Sequence, residues 1–223
     1  MRLALLSDVH GNYAALEAVA RELGSVDAVV FCGDAVGYYP DADACCEWLR
    51  SAGAHAVRGN HDAYVTGALA PDPAREPLYR TGWTRQALSA DNLRWLRTLP
   101  VELRFLLDGG ALAVRHASPW DEETYLYPDS PRLDEIELAE REVLCLGHTH
   151  HPMLRRAGAG LVVNPGSVGQ PRDRDPRASY AVLDTASGAV EHRRAAYDVE
   201  RLQAALCARG WDERAISILN RTR

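Results

Sequence analysis

The fold is decided by the stretch Arg2-Leu3-Ala4-Leu5-Leu6-Ser7-Asp8-Val9-His10-Gly11. Its first half is a short apolar run, which predicts a strand buried on both faces. An acid and an imidazole, Asp8 and His10, follow at the carboxyl end of this strand. Side chains two residues apart on an extended segment point the same way, so these two groups can converge on one ion. Many turns contain an Asp near a His, so the interpretation depends on matching pieces elsewhere in the chain.

Length and composition predict one globular domain spanning residues 1–223, with C-terminal helices appended over 198–220. The chain of 223 residues is 47% hydrophobic and 25% charged, values typical of a soluble protein with a sizeable core. Its net charge of −6 argues against binding to duplex nucleic acid or to an anionic membrane. A small phosphorylated substrate held by metal ions remains compatible with that charge.

The cysteines and the first residues of the chain indicate the cellular compartment in which we expect the protein. Five scattered cysteines without C-x-x-C spacing predict buried thiols in a reducing cytoplasm. We expect no signal peptide, because a charged residue interrupts the apolar run by Asp8. No run is long enough to span a bilayer, so we expect no membrane association.

A second strand brings another acid to the same place. Asn12 is a candidate cap for a helix ending at Gly24, and the apolar run 28–32 follows and stops at Gly33-Asp34. A strand, a helix and a strand in this order form a crossover with parallel strands. Asp34 is therefore expected at the sheet edge that carries Asp8 and His10.

Three further predicted strands end in ligand-type residues. Asn60, His61 and Asp62 follow a short strand at 55–57, and His116 follows the second strand of a hairpin formed by 101–107 and 111–115 around the turn 108–110. The strand 143–146 ends in Gly147-His148-Thr149-His150-His151. A single His after a strand is usually a loop residue. Five such segments in one chain are hard to credit to chance and predict a metal site.

The remaining pattern predicts mixed α/β (α+β) architecture. Helices are expected from Asp41 to Gly53, in an interrupted excursion over 63–98, at 133–140 and at 198–209. Hairpin strands are expected around 153–154 and 161–163, and again over 179–183 and 190–195. The proline- and aromatic-bearing segment 117–131 is expected to be a loop.

The five segments follow one another in the order Asp-x-His, Gly-Asp, Gly-Asn-His-Asp, His, Gly-His-Thr-His. In this order the chain resembles the calcineurin-like metallophosphoesterases over residues 3–195. The loop from Asn164 to Arg172 and the segment His116-x-Ser118-Pro119 are similar to those of a small bacterial and archaeal phosphodiesterase group, related to proteins named after diadenosine tetraphosphatase. The resemblance implies a four-layer α/β/β/α sandwich of two facing mixed sheets flanked by helices.

The same resemblance implies two divalent cations and seven ligands. Asp34 would lie between the ions, with Asp8, His10 and His150 on one and Asn60, His116 and His148 on the other. Imidazole and carboxylate donors without thiolate suit Mn²⁺, Fe, Zn²⁺, Co²⁺ or Ni²⁺ over Ca²⁺, and we favour Mn²⁺.

By the same resemblance, His61 contacts the phosphate and protonates the leaving oxygen, while Asp62 orients its ring. The alternative is that His61 caps the following helix. Asn60, His61 and Arg172 are the expected substrate contacts, although Arg172 also fits a solvated run of charges.

The function expected is hydrolysis of phosphodiesters by in-line attack of a metal-bridging hydroxide. A phosphomonoesterase, a dinucleoside-polyphosphate hydrolase and an inactive scaffold are the alternatives. Trp120, Tyr125 and Tyr127 either stack on a nucleotide base or pack within their own loop. The apolar positions of the terminal helices fit internal packing and homo-oligomer formation equally well; they are Leu202, Leu206, Trp211, Ile216, Ile218 and Leu219.

Overall fold

The computed structural model describes residues 1–107 and 109–220. Asp108, expected in the turn of the 101–115 hairpin, lies outside the described residues. The strands are β1 (Arg2–Leu6), β2 (Ala28–Phe31), β3 (His55–Ala56), β4 (Glu102–Leu107), β5 (Gly110–Arg115), β6 (Glu142–Cys145), β7 (Met153–Ala157), β8 (Gly160–Asn164), β9 (Ala178–Asp184) and β10 (Val190–Ala195). The helices are α1 (Tyr13–Glu22), α2 (Ala42–Ser51), α3 (Asn60–Thr66), α4 (Glu76–Tyr79), α5 (Thr81–Ala87), α6 (Ala90–Thr98), α7 (Val199–Ala208) and α8 (Glu213–Ile218).

The strands form two mixed five-stranded sheets. The first has the order β10-β9-β1-β2-β3, and the second has the order β4-β5-β6-β8-β7. Strands β1, β2 and β3 are parallel to one another, as are β5, β6 and β8. The carboxyl ends of parallel strands meet at one edge of a sheet, which is where α/β proteins place ligands.

The first strand is buried on both faces, as predicted. Ala4 and Leu6 pack in a cluster with the helices, whereas Leu3 and Leu5 pack in the layer between the two sheets. This alternation follows the two-residue period of a strand. Full burial of a leucine contributes roughly 1.5–3 kcal/mol, so β1 anchors both layers of the core.

Short polar residues begin the main helices. The side chains of Asn12, Ser89 and Asp198 accept hydrogen bonds from backbone N–H groups at the starts of α1, α6 and α7. Such caps satisfy donors that have no partner within the helix. The helix starts expected at Asn12 and Asp198 are therefore confirmed.

The outer face of the second sheet is covered differently from the prediction. The helix expected over 133–140 is wrong, since only Pro131–Glu135 forms a short 3₁₀ turn. Leu133 and Ile136 are buried against this sheet, and Leu138 then pairs with Gly158 as an isolated bridge. The apolar residues of this segment have helical spacing, but they pack on the second sheet from a mostly extended chain. Backbone hydrogen bonds of Leu138 to the β7–β8 hairpin replace the hydrogen bonds that a helix would have formed.

The C-terminal helices pack against the loop that follows Asp34. Leu202, Leu206, Trp211 and Leu219 are buried in a cluster with two tyrosines of that loop, and Ile216 and Ile218 are half-buried. These contacts favour the packing alternative for the apolar positions. Within the described residues, no helix has the length and apolar character needed to cross a membrane.

Candidate metal centre

The strand ends bring all seven expected ligands into one buried cluster. Asp8 and His10 follow β1, Asp34 follows β2, Asn60 begins α3, His116 follows β5, and His148 and His150 follow β6. Backbone hydrogen bonds join these loops, including Asp8 N–H to the carbonyl of Gly33 and His10 N–H to the carbonyl of Asp34, each at 3.0 Å. The cluster therefore lies where both sheets present the carboxyl ends of their central strands.

The backbone of the cluster is strained. Asp8, His10, Asp34, His148 and His150 all have φ between 51° and 67°, in the left-handed region. Residues other than glycine rarely adopt this region, and each instance costs on the order of 1–3 kcal/mol. Five such residues in one site indicate that the fold holds these side chains in place for a function.

One half of the cluster contains Asp8, His10 and His150. The Nε2 atoms of His10 and His150 lie 3.0 Å apart, and Nε2 of His150 lies 3.2 Å from Oδ1 of Asp8. Nε2 of His10 lies 3.7 Å from Asp8 and equally far from Oδ2 of Asp34. Three donor atoms thus face one common point, in a geometry compatible with a single cation.

The other half contains Asn60, His116 and His148, with Asp34 again at its edge. Nε2 of His116 lies 3.0 Å from Oδ1 of Asn60, 3.2 Å from Oδ2 of Asp34 and 3.2 Å from Nδ1 of His148. Asp34 is therefore the carboxylate that reaches both halves. This is the place expected of a group shared between two ions.

Each of the four histidines is held through its second ring nitrogen. Nδ1 of His10, His116 and His150 lies within 2.7–3.2 Å of a main-chain carbonyl, and Nε2 of His148 lies 3.0 Å from the carbonyl of Glu123. A donor N–H at that position fixes the tautomer and leaves the other nitrogen free to bind a cation.

The electrostatics of the cluster leave most of the imidazoles neutral. Burial lowers the pKa of His10 and of His150 well below the usual value, and it lowers the pKa of His148 to about 3. Burial opposes charge on His116 as well, but the adjacent Asp34 carboxylate outweighs it and raises the pKa to about 10. The carboxylate of Asp34 therefore favours the protonated form of His116.

The donor set fits divalent metal ions. Groups of three histidine and carboxylate donors lie within 4.8 Å of one another, and all of them are buried. Buried carboxylates and imidazoles packed this closely need a compensating cation. Nitrogen and oxygen donors in this mixture suit transition metals.

His61 lies beside the cluster, with its own ring free of hydrogen bonds among the described residues. Its ring centroid lies 4.9 Å from that of His10 and 4.4 Å from that of Tyr79, and its backbone N–H donates to Oδ1 of Asp34 at 2.8 Å. Burial lowers the pKa of His61 to about 4. Burial therefore favours the neutral form of this imidazole.

Asp62 does not orient the ring of His61, contrary to the expectation. Its carboxylate accepts hydrogen bonds from the backbone N–H groups of Asp34, Ala35 and Gly59 at 2.8–2.9 Å, and of Val36 at 3.3 Å. It thereby ties the Asp34 loop to the start of α3. Burial and the charge of Asp34 raise its pKa to about 7.

Arg172 is half-buried beside the cluster and is not part of a solvated charge run. Its guanidinium donates to Oε1 of Gln170 at 2.7 Å and to the hydroxyl of Tyr38 at 3.4 Å. No carboxylate among the described residues forms an ion pair with it. Arg58, by contrast, is committed to Glu122 through two hydrogen bonds of 2.7 and 3.0 Å.

A cleft of about 370 Å³ adjoins the cluster, and we call it the tyrosine cleft. Its lining residues are Tyr38, Arg75, Leu78, Tyr79, Tyr125, Tyr127, His151, Arg172 and Ile218. Trp120 lies elsewhere, beneath the guanidinium of Arg132 and in a separate groove. Sequence reasoning missed Tyr38 and Tyr79. The aromatic pair Tyr38-Tyr39, four residues after Asp34, was the available signal for Tyr38 only.

Comparison with known proteins identifies the family of the chain. Residues 1–188 match the calcineurin-like phosphoesterase superfamily domain. An uncharacterised protein of Methanocaldococcus jannaschii is 31% identical over 219 residues, which cover 89% of each chain. The phosphodiesterase YfcE of Escherichia coli is 29% identical over 196 residues, covering 82% of this chain and 88% of its own.

A solved structure extends the likeness to the whole fold. The crystal structure of a metallophosphoesterase from Sphaerobacter thermophilus superposes with a TM-score of 0.83 at 30% sequence identity, covering 100% of this chain and 99% of that one. Two mixed sheets flanked by helices are thus confirmed as the fold. The chain belongs to the calcineurin-like phosphoesterase superfamily.

Proposed function

We propose that this protein is a binuclear metal-dependent phosphodiesterase. The observation that carries the proposal is the convergence of four fixed imidazoles on the buried carboxylates of Asp8 and Asp34. When bound, two divalent cations would supply Lewis acidity toward phosphate and activate the attacking water. We assign Asp8, His10 and His150 to one cation and Asn60, His116 and His148 to the other, with Asp34 between them.

The donors also support a choice of metal. Imidazole nitrogens with carboxylate and amide oxygens favour Mn²⁺, Fe, Zn²⁺, Co²⁺ or Ni²⁺, and we propose Mn²⁺. The neutral amide of Asn60 adds no charge to its half of the cluster. Less negative charge on the ligands leaves a bound cation more attractive to a phosphate oxygen.

Arg172 and His61 are the proposed substrate contacts of this chain, together with Asn60. A half-buried guanidinium that forms no ion pair with a described carboxylate is suited to a phosphoryl oxygen, which it can contact through two N–H groups. We propose that His61 protonates the leaving oxygen. An anionic phosphate next to the ring favours the imidazolium, so substrate binding is expected to raise the pKa of His61 from about 4.

Two observations favour diesters over monoesters. The tyrosine cleft offers space beside the cluster for a second ester group. The relative from Escherichia coli is named a phosphodiesterase. A phosphomonoesterase or a dinucleoside-polyphosphate hydrolase remains the alternative enzyme, and a catalytically inactive scaffold is disfavoured because all seven ligand positions are filled.

The cellular setting is part of the same proposal. Cys32, Cys45, Cys46 and Cys145 are buried free thiols, and Cys207 is an exposed one. Free thiols of this kind persist in a reducing compartment, which supports a cytoplasmic enzyme acting on a small phosphorylated substrate.

A substrate panel with metal analysis tests the proposal. Protein supplied with Mn²⁺ should hold about two metal equivalents by elemental analysis, and it should hydrolyse bis-p-nitrophenyl phosphate faster than p-nitrophenyl phosphate. Asp34→Asn should lose metal and activity together, whereas the exposed Asp129→Asn should lose neither. Near-zero metal after Mn²⁺ loading would favour the scaffold, and faster monoester turnover would favour the monoesterase.

A further inference from the structure

Tyrosines that line the tyrosine cleft contact one histidine from each half of the metal cluster, since the ring of Tyr38 lies 4.8 Å from that of His10 and the ring of Tyr125 packs on that of His148. Tyr38 and Tyr79 contact the ring of His61, with centroids 4.9 and 4.4 Å away. On the other side, the ring of Tyr125 lies 3.9 Å from that of His148. The cleft therefore lies next to the cluster, with tyrosines on either side of its open volume.

One wall of the cleft is formed by two nearly parallel tyrosine rings on either side of a buried leucine in the sequence. Tyr125 and Tyr127 lie 5.8 Å apart with an interplanar angle of 10°. Leu126 between them is 1% exposed and packs against the second sheet, whereas the two tyrosines are 45% and 38% exposed. Anchoring Leu126 inward fixes both rings outward, so their exposure is built into the loop.

The opposite wall is also aromatic. Tyr79 lies 5.3 Å from Tyr38 and stacks on Tyr64 at 6.2 Å, with an interplanar angle of 10° for the second pair. Within the described part of the chain, no ring contact links this wall to Tyr125 or Tyr127. The two walls are thus separate aromatic surfaces with open volume between them.

The charge of the cleft matches a phosphate ester. Two of its lining residues are arginines, Arg75 and Arg172, and none of those described is acidic. Neither arginine forms an ion pair with a described residue. The volume of the tyrosine cleft, about 370 Å³, falls in the range of about 300–1,000 Å³ found for small-molecule sites.

Resting on the phosphoesterase function proposed above, we propose that the tyrosine cleft binds a flat aromatic group of the substrate, for which a nucleobase is the biological source. The ring stacks against Tyr125 and Tyr127 while the phosphoryl group lies toward Arg172. Aromatic side chains accept any base by its π-face, so this recognition selects a class of ester and not one sequence of bases.

Binding to the Mn²⁺-loaded protein, measured by isothermal titration calorimetry, tests the cleft directly. Adenosine 5′-monophosphate and ribose 5-phosphate carry the same phosphate and sugar and differ in the base. The nucleotide should bind roughly 5- to 150-fold more tightly, the factor that corresponds to stacking of one base. Equal affinities would overturn the proposal. Phenyl phosphate identifies the source of the ring: affinity equal to that of the nucleotide means any aryl group, and weaker affinity means a nucleobase.

Matched variants test which aromatic residue produces the preference for the nucleotide. Tyr127→Leu removes the ring but keeps an apolar side chain, and it should abolish most of the preference for the nucleotide. Tyr127→Phe should retain the preference, because the ring remains. Trp120→Leu removes an exposed aromatic residue from the same loop but outside the cleft, and the preference should be unchanged. Equal losses in Tyr127→Leu and Trp120→Leu would overturn the assignment.

The same samples separate this inference from the proposed function. Hydrolysis of bis-p-nitrophenyl phosphate without any preference for the nucleotide would overturn the proposal that the cleft binds an aromatic group. It would still support the phosphodiesterase function. A clear preference without hydrolysis of any ester would reject the phosphodiesterase while supporting the cleft as an aromatic site.

Discussion

Substitution Gly59→Ala tests whether the position of Asp34 controls the metal site. Gly59 has φ −99° and ψ 177°, an extended conformation that alanine adopts without strain. A Cβ atom there would lie 2.1 Å from Oδ1 of Asp34 and 2.5 Å from its backbone nitrogen. Relief of this overlap requires a displacement of about 1 Å, at the carboxylate that reaches both halves of the cluster.

The expected magnitudes follow from that displacement. Overpacking of this kind costs about 1–3 kcal/mol of unfolding free energy, which lowers Tm by roughly 2–12 °C in a chain of this size. A misplacement of about 1 Å at a reacting centre costs on the order of 100-fold in rate. We therefore expect a modest loss of stability with a severe loss of bound Mn²⁺ and of diester hydrolysis.

Gly53→Ala supplies the control. Gly53 has φ +61°, and a Cβ atom there would meet nothing within 4 Å. Alanine in that backbone region costs roughly 1–2 kcal/mol, so its Tm should fall by a similar amount. Elemental analysis, thermal denaturation and bis-p-nitrophenyl phosphate turnover should be compared for the two variants. Equal metal content and equal turnover in both would refute the reasoning.

Three further predictions address the histidines and the C-terminal helices. His61→Ala should retain its metal and slow turnover most for diesters with poor alkoxide leaving groups; unchanged turnover of an alkyl diester would reject the proton-donor role. Because the pKa of His116 is about 10 without metal, Mn²⁺ binding must displace its proton, so affinity should rise from pH 6 to pH 9. Calorimetry in buffers of different ionisation enthalpy should then report about one proton released, and a pH-independent affinity would contradict the assignment. Trp211→Phe removes the indole N–H that donates to the carbonyl of Tyr38 at 2.6 Å, and it should cost about 0.5–1.5 kcal/mol of stability and raise KM more than it lowers kcat. Loss of bound metal in Trp211→Phe would instead place the effect at the cluster.

The seven ligand-type residues could be predicted because each follows a short apolar run. Strand formation and the direction of parallel strands depend on local pattern, so the amino-acid sequence is sufficient to place Asp8, His10 and Asp34 at one edge of a sheet. Local pattern also predicted the cap at Asn12.

Other features depend on contacts that no local pattern encodes. The segment 133–140 has helical spacing of apolar residues, but Leu138 bridges to Gly158 and only a short 3₁₀ turn forms. Asp62 follows His61 in sequence, yet its carboxylate faces backbone N–H groups of the Asp34 loop. In both cases a local preference competes with tertiary hydrogen bonds, and the tertiary hydrogen bonds determine the conformation.

The sequence by itself determined which ligand-type residues follow strands, because periodicity and strand direction are local properties. Only the tertiary structure decided what surrounds them. Tyr38 and Tyr79 reach the site from a loop and a short helix. Arg172 lies beside them without an acidic partner among the described residues, through folding of segments far apart in the chain. These neighbours shape the tyrosine cleft, since side-chain packing between distant elements sets its walls and its charge.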